Sequence, residues 1–149
     1  MKTIELMFDH LYWANQSMLS ALIALDNIPL EALRIYSHLL LAEKVWYNRL
    51  QKNDRTNTPI WSDLSIAQCA KLMEENTNNY RYYITNLTQT DLHQLITYRN
   101  SKQEEFTTSI HDILTHVALH GQYHRGQINK LLRIYNEEPI NVDFITFVR

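Results

Sequence analysis

Turn-making residues are scarce in this chain. Two glycines and three prolines in 149 residues fit long helices with few connections better than many short strands. A single cysteine, Cys69, excludes an intrachain disulfide and a paired-cysteine metal site. Its setting, Ala67-Gln68-Cys69-Ala70-Lys71-Leu72, reads as a helix with a buried, structural thiol. No apolar run reaches the ~18 residues of a membrane span. No lysine or arginine run occurs and net charge is −2, so nucleic acid has no electrostatic footprint to meet. The start, Met1-Lys2-Thr3-Ile4-Glu5, turns polar too soon for a signal peptide, and a cytoplasmic location is the expectation.

What is present is a soluble-type composition, 45% hydrophobic and 20% charged, that fits one folded domain over residues 1–149. The first segment spans about Thr3 to Leu25. Leu6, Met7, Leu11, Ala14, Met18, Leu22 and Leu25 recur at helical steps, and Thr3 is placed to cap it. The second spans about Glu31 to Gln51, with Leu33, Tyr36, Leu40, Val45, Trp46 and Leu50 as its stripe. Residues 52–59 are polar and read as a loop, and Ile60 and Trp61 pack that loop back onto the core. The third segment, about Ser65 to Leu87, opens on a capping box, Ser65 with Gln68. Its buried face is Ile66, Cys69, Met73, Tyr80, Tyr83, Ile84 and Leu87. Two β-prone runs, 95–99 and 105–108, flank the polar 100–103 and predict a hairpin. The fourth segment spans about Ile110 to Tyr135, with Ser109 as its cap and Asn136 and Pro139 at its end. The apolar tail 140–148 packs on the bundle. The predicted fold class is all-α: a four-helix bundle with a small β-hairpin before the last helix.

The fourth segment carries the chemistry. His116, His120 and His124 lie four apart, so each step rotates the side chain by only about 40°. Adjacent members can share one metal ion, whereas the outer pair diverges by about 80°. One such pair is the candidate ligand pair, and the third histidine has another job. Both glycines, Gly121 and Gly126, interrupt the same helix. Each costs about 1 kcal/mol against alanine, which predicts a close approach to that backbone. A third ligand must come from His10, His38, His93 or His111. His38 is the best, because Ile35-Tyr36-Ser37-His38-Leu39-Leu40-Leu41-Ala42 is apolar and an unpartnered imidazole there is costly. His10, beside Asp9, is second; His93 and His111 read as surface.

The competing reading is a set of hydrogen-bonded core histidines. An all-nitrogen set suits zinc, nickel, iron or copper. Three histidines leave a coordination position open, as catalytic sites do. No Glu-x-x-His occurs, which disfavours a di-iron carboxylate centre. No glutamate sits within His120-Gly121-Gln122-Tyr123-His124, so the zincin general base is missing. Glu43 is the one acidic residue near enough in sequence to nominate. At five residues from His38 it points about 140° away and reads as solvated. Tyr12, Tyr36 and Tyr123 are candidate donors to the imidazoles and otherwise core. Arg125 reads as a structural ion-pair partner.

The stretch His116-Val117-Ala118-Leu119-His120-Gly121-Gln122-Tyr123-His124-Arg125-Gly126-Gln127-Ile128 resembles the last-helix signature of DinB-like proteins, damage-inducible four-helix bundles of bacteria. Tyr12-Trp13-Ala14-Asn15, the run from Ser37 to Trp46, Asn100-Ser101-Lys102 before Phe106, and Asp143-Phe144-Ile145 resemble its other motifs. The likeness covers nearly the whole chain. It implies an up-and-down-type bundle with a long crossover and a divalent metal, zinc or nickel foremost, on His38, His120 and His124. His116 is then the odd one out. It also implies a stress-associated homodimer through helix faces. The wider superfamily contains thiol-dependent transferases, so a low-molecular-weight thiol is an expected substrate and hydrolysis the neighbouring chemistry. A non-enzymatic dimer with a structural metal is the alternative, and a small-ligand binder with a metal-free histidine pocket a third reading. Gln103 departs from the pattern, standing where many relatives have glycine.

Overall fold

The computed structural model describes residues 1–53 and 59–149; positions 54–58 of the polar loop expected at 52–59 lie outside them. Four long helices dominate: α1 (Lys2–Ala24), α2 (Leu30–Leu50), α3 (Ile66–Thr85) and α4 (Ile110–Ile134). Strands β1 (Leu95–Arg99) and β2 (Glu105–Ser109) form an antiparallel hairpin just before α4, and α5 (Phe144–Phe147) is a single turn in the tail. The all-α bundle with its hairpin is therefore the observed architecture. Among the described residues no helix is long and apolar enough to cross a membrane.

Topology follows from cross-helix contacts. Ser37 meets Cys69, Leu40 meets Asn76 and Glu43 meets Tyr80. The numbers rise together, so α2 and α3 run parallel, and the link between them must travel back along the bundle. That link is the long crossover. Trp46 meets His116 while His38 meets His124, so α4 runs antiparallel to α2.

Local chemistry sets the helix ends. Ser65 and Gln68 make the reciprocal capping box, and the Ser109 hydroxyl accepts from the Asp112 amide. At the end of α4, Asn136 adopts φ 60°. There the Glu137 amide donates to the Leu132 carbonyl at 2.8 Å and the Asn136 amide to Arg133 at 3.1 Å. This is a Schellman closure, satisfying carbonyls the helix cannot. Thr3, by contrast, is not a cap. The helix already begins at Lys2 with Met1 before it, because Ile4 and Phe8 pull the first turn into the core. Leu6 sits in the apolar spacing yet is 41% exposed. The buried face of α1 is centred instead on Ile4, Phe8, Leu11, Asn15 and Leu22.

The core is in two parts. One cluster joins Met18, Leu22, Tyr36, Leu39, Cys69 and Ile128. The other, towards the opposite end, joins Phe8, Leu11, Leu50, Tyr80, Leu114 and Val117. Each fully buried Leu or Phe contributes about 1.5–3 kcal/mol. Between the clusters lies a layer of buried polar side chains: Asn15, Glu43, Asn76 and Arg125.

In the hairpin turn the Asn100 side chain accepts from the amides of Lys102 and Glu104, and Gln103 takes φ 66°. A side chain in the left-handed region costs about 1–2 kcal/mol. Gln103→Gly therefore raises stability by about 0.5–1 kcal/mol, part of the gain being lost to the freer unfolded chain. Thermal unfolding of the variant checks this.

Candidate metal centre

His38 projects from the middle of α2, and His120 and His124 from successive turns of α4. The three imidazoles converge, each offering a nitrogen within 4.8 Å of the others. The Nε2 atoms of His120 and His124 are 3.0 Å apart, and the His38 ring lies 4.6 Å from His124 and 5.4 Å from His120, centre to centre. His38 and His124 are buried and His120 is half-buried.

The ring partners of His38 and His124 turn a lone pair of each inward. His38 Nδ1 lies 2.8 Å from the Ile60 carbonyl, which can only accept, so Nδ1 carries the proton and Nε2 is left with a lone pair. His124 Nδ1 pairs with Gln127 Oε1 at 2.8 Å. Both partners stand where metal-binding histidines have their orienting acceptors. Electrostatics agree. Burial lowers the pKa of all three rings, and for His120 burial with its neighbours His124, His116 and His38 lowers it to about 4. Neutral imidazoles are what a cation requires. Nitrogens on one tetrahedral zinc, at about 2.0–2.1 Å from it, lie roughly 3.3 Å apart. The chain's residues therefore fit a divalent ion after a small spreading of His120 from His124.

The remaining histidines go elsewhere. His116 lies on the flank, its ring against Trp46 at 5.0 Å. His10 Nε2 donates to the Val142 carbonyl at 2.8 Å and packs on Phe144 and Phe147, pinning the tail to α1. His93 and His111 are exposed, the latter paired with Asp112.

One expectation is corrected. Glu43 is not solvated: it is 3% exposed. It does point away from His38, but α2 has α1 and α3 on that side rather than water. Its oxygens accept from Asn15 Nδ2 at 2.9 Å and Asn76 Nδ2 at 3.2 Å. Burial pushes its carboxyl up to about 7 against the pull of Asn15, Arg125 and Asn76. Of the three tyrosines, Tyr12 and Tyr36 are core as expected, and Tyr123 is exposed instead. Tyr36 donates to the Asn15 carbonyl, the Tyr12 hydroxyl is buried without a hydrogen-bond partner among the described residues, and Tyr123 lays its ring edge near His124.

Three supporting groups were not assigned from sequence. Gln127 was findable, since it lies three residues from His124 on the same helix face. The Ile60 carbonyl was not, because it arrives through the crossover. Trp61 was expected to pack inward, and it stacks flat on His38, rings 3.7 Å apart at 7°.

The glycines divide. A Cβ on Gly121 would meet Arg125 Nη1 at 2.9 Å, so here the expected close approach exists. Gly126 has nothing within 4 Å and is exposed. Gly126→Ala therefore stabilises the protein by about 1 kcal/mol, the helix-propensity difference. A rise in melting temperature of about 3 °C would register it.

The DinB family model matches residues 1–149. No curated protein matches the chain. The chain belongs to the DinB family, and its three convergent imidazoles could hold a metal ion.

Proposed function

We propose that this DinB family member holds one divalent metal ion, zinc or nickel foremost and iron or copper next, on His38, His120 and His124, and acts as a metal-dependent enzyme of the thiol-dependent transferase or hydrolase type. The observation that carries the reading is the inward lone pair of His38, fixed by the Ile60 carbonyl and facing the paired nitrogens of His120 and His124. Three nitrogen ligands leave room for a substrate atom, as in catalytic sites. The ion, when bound, supplies Lewis acidity that lowers the pKa of a thiol or water brought to it. The chain's own residues orient the rings: Ile60 holds His38, Gln127 holds His124, and Trp61 covers one face of His38.

Thiol chemistry is preferred to hydrolysis for a chemical reason. Among the described residues no carboxylate joins the metal-ligating group, and Glu43 is committed to Asn15 and Asn76. A thiol needs no dedicated base once its pKa falls, whereas a water nucleophile is usually served by one. The test is cobalt-loaded protein titrated with a small thiol such as cysteine. A new sulfur-to-cobalt absorption band, saturating at one thiol per metal, supports the transferase class. No spectral change, together with a large loss of thermal stability on chelation, supports the alternative, a non-enzymatic stress-associated dimer in which the metal is structural.

For the homodimer we propose the α1–α3 face. A groove of about 860 Å³ there is lined by Trp13, Met73 and Phe147, with both acids (Asp9, Glu74) and a cation (Arg81). Mixed charge on one patch suits a two-fold, self-complementary contact. Sedimentation of Arg81→Glu checks it: the variant is monomeric under conditions where the unaltered chain is dimeric.

A further inference from the structure

The layer between the two apolar clusters takes one polar side chain from each long helix: Asn15 from α1, Glu43 from α2, Asn76 from α3 and Arg125 from α4. Asn15 is the bridge. Its amide nitrogen donates to Glu43 and its oxygen accepts from Arg125 Nη1 at 2.7 Å. Asn76 donates both to Glu43 and to the Leu40 carbonyl, and the Tyr80 hydroxyl donates to the Glu43 carbonyl.

This layer is a poor device for stability alone. It strips water from a carboxylate and from a guanidinium that is 0% exposed and joins them only through the Asn15 side chain, an arrangement in which the cost of burying charge is poorly repaid. It is also incompletely satisfied. Tyr12 Oη, Asn76 Oδ1 and Arg125 Nε, the buried side-chain atoms without hydrogen-bond partners among the described residues, all belong to it or adjoin it.

Its placement suggests another role. The guanidinium lies against Gly121 and donates from Nη2 to Gln122 Oε1 at 3.3 Å. Residues 121, 122 and 125 alternate with the ligands 120 and 124 on the same turn. Each follows a ligand by one or two residues, so Arg125 holds the rear of the turn whose front carries both imidazoles.

We propose that Asn15, Glu43 and Arg125 are positioning residues: they tie the α4 turn to the other helices at one rotation and height, and so set His120 and His124 against His38. The inference rests on the metal reading above. Gly121 belongs to the same device, because any larger residue displaces the guanidinium.

Two variants test it, with cobalt affinity and cobalt absorption spectrum as readouts beside thermal stability. The double variant Glu43→Met with Arg125→Met removes both charges and keeps apolar volume. Gly121→Ala keeps every polar group but pushes the guanidinium off its seat. The expected result is a folded protein in each case, binding cobalt about tenfold or more weakly, the scale set by outer groups that orient ligands, with an altered spectrum. Wild-type affinity and spectrum in both variants overturn the inference while leaving the metal site intact. If the double variant does not fold, Gly121→Ala decides alone. Absence of cobalt binding by the unaltered protein removes the metal reading, and this inference with it.

Discussion

His120→Ala is expected to lose the cobalt binding proposed for the three imidazoles. The expected drop in cobalt affinity is at least about 100-fold, beyond the 10–100-fold that loss of an orienting partner costs. The half-buried position of His120 means that the fold survives the change, so the loss reports on ligation. His38→Ala behaves alike, although its ring comes from a different helix. His116→Ala is the discriminating control. Helical spacing allows the pairs 116/120 and 120/124 equally, but the His116 ring stands against Trp46 and outside the convergent set. Its removal leaves affinity unchanged. Equilibrium competition against a chromophoric chelator measures all three.

The second large effect is on stability. Arg125→Met leaves the buried Asn15 oxygen without its donor and removes the cation whose field reaches Glu43 through that bridge. Losing that buried charged hydrogen bond costs about 1.5–3 kcal/mol, a large part of the 5–15 kcal/mol that holds a domain folded. At about 3 °C per kcal/mol for a chain of this length, the melting temperature falls by about 5–9 °C. The loss depends on pH. The groups facing Glu43 are Arg125, Tyr12, Tyr36 and Tyr80, and Arg125 is the only cation among them. Glu43 is raised from 4.5 to about 7 in the folded chain, so between those values the native state holds a proton that the unfolded state has released. Stability then falls as pH rises through that window. Without Arg125 the folded carboxyl rises further, so the deficit is largest near pH 8 and shrinks towards pH 5. Denaturant unfolding at the two pH values, wild type against variant, reads the difference.

The helices were legible because their signals are local. The capping box at Ser65, the cap at Ser109 and the stop at Asn136 each act within a few residues, and each stands in the structure as expected. The hairpin was legible from two β-prone runs despite Gln103 at a left-handed position, since Asn100 organises the turn with its side chain. His38 was legible from burial cost, since an imidazole in an apolar run needs a partner, whereas the choice of His120 and His124 over the equally spaced His116 and His120 came only from the family resemblance. Glu43 was misread because helical rotation says only where a side chain is not. The opposite face of α2 meets two other helices, which no spacing within α2 reveals. The Ile60 carbonyl and the Asn15 bridge are long-range for the same reason, reaching His38 across 22 positions and Arg125 across 110.

The most direct measurement is X-ray absorption at the metal edge of purified, metal-loaded protein. The expected result is one metal per chain with three imidazole nitrogens at about 2.0–2.1 Å for zinc, and one further light atom or, with a thiol added, a sulfur at about 2.3 Å. A metal surrounded by oxygens alone, or a pattern unchanged in His120→Ala, would contradict it.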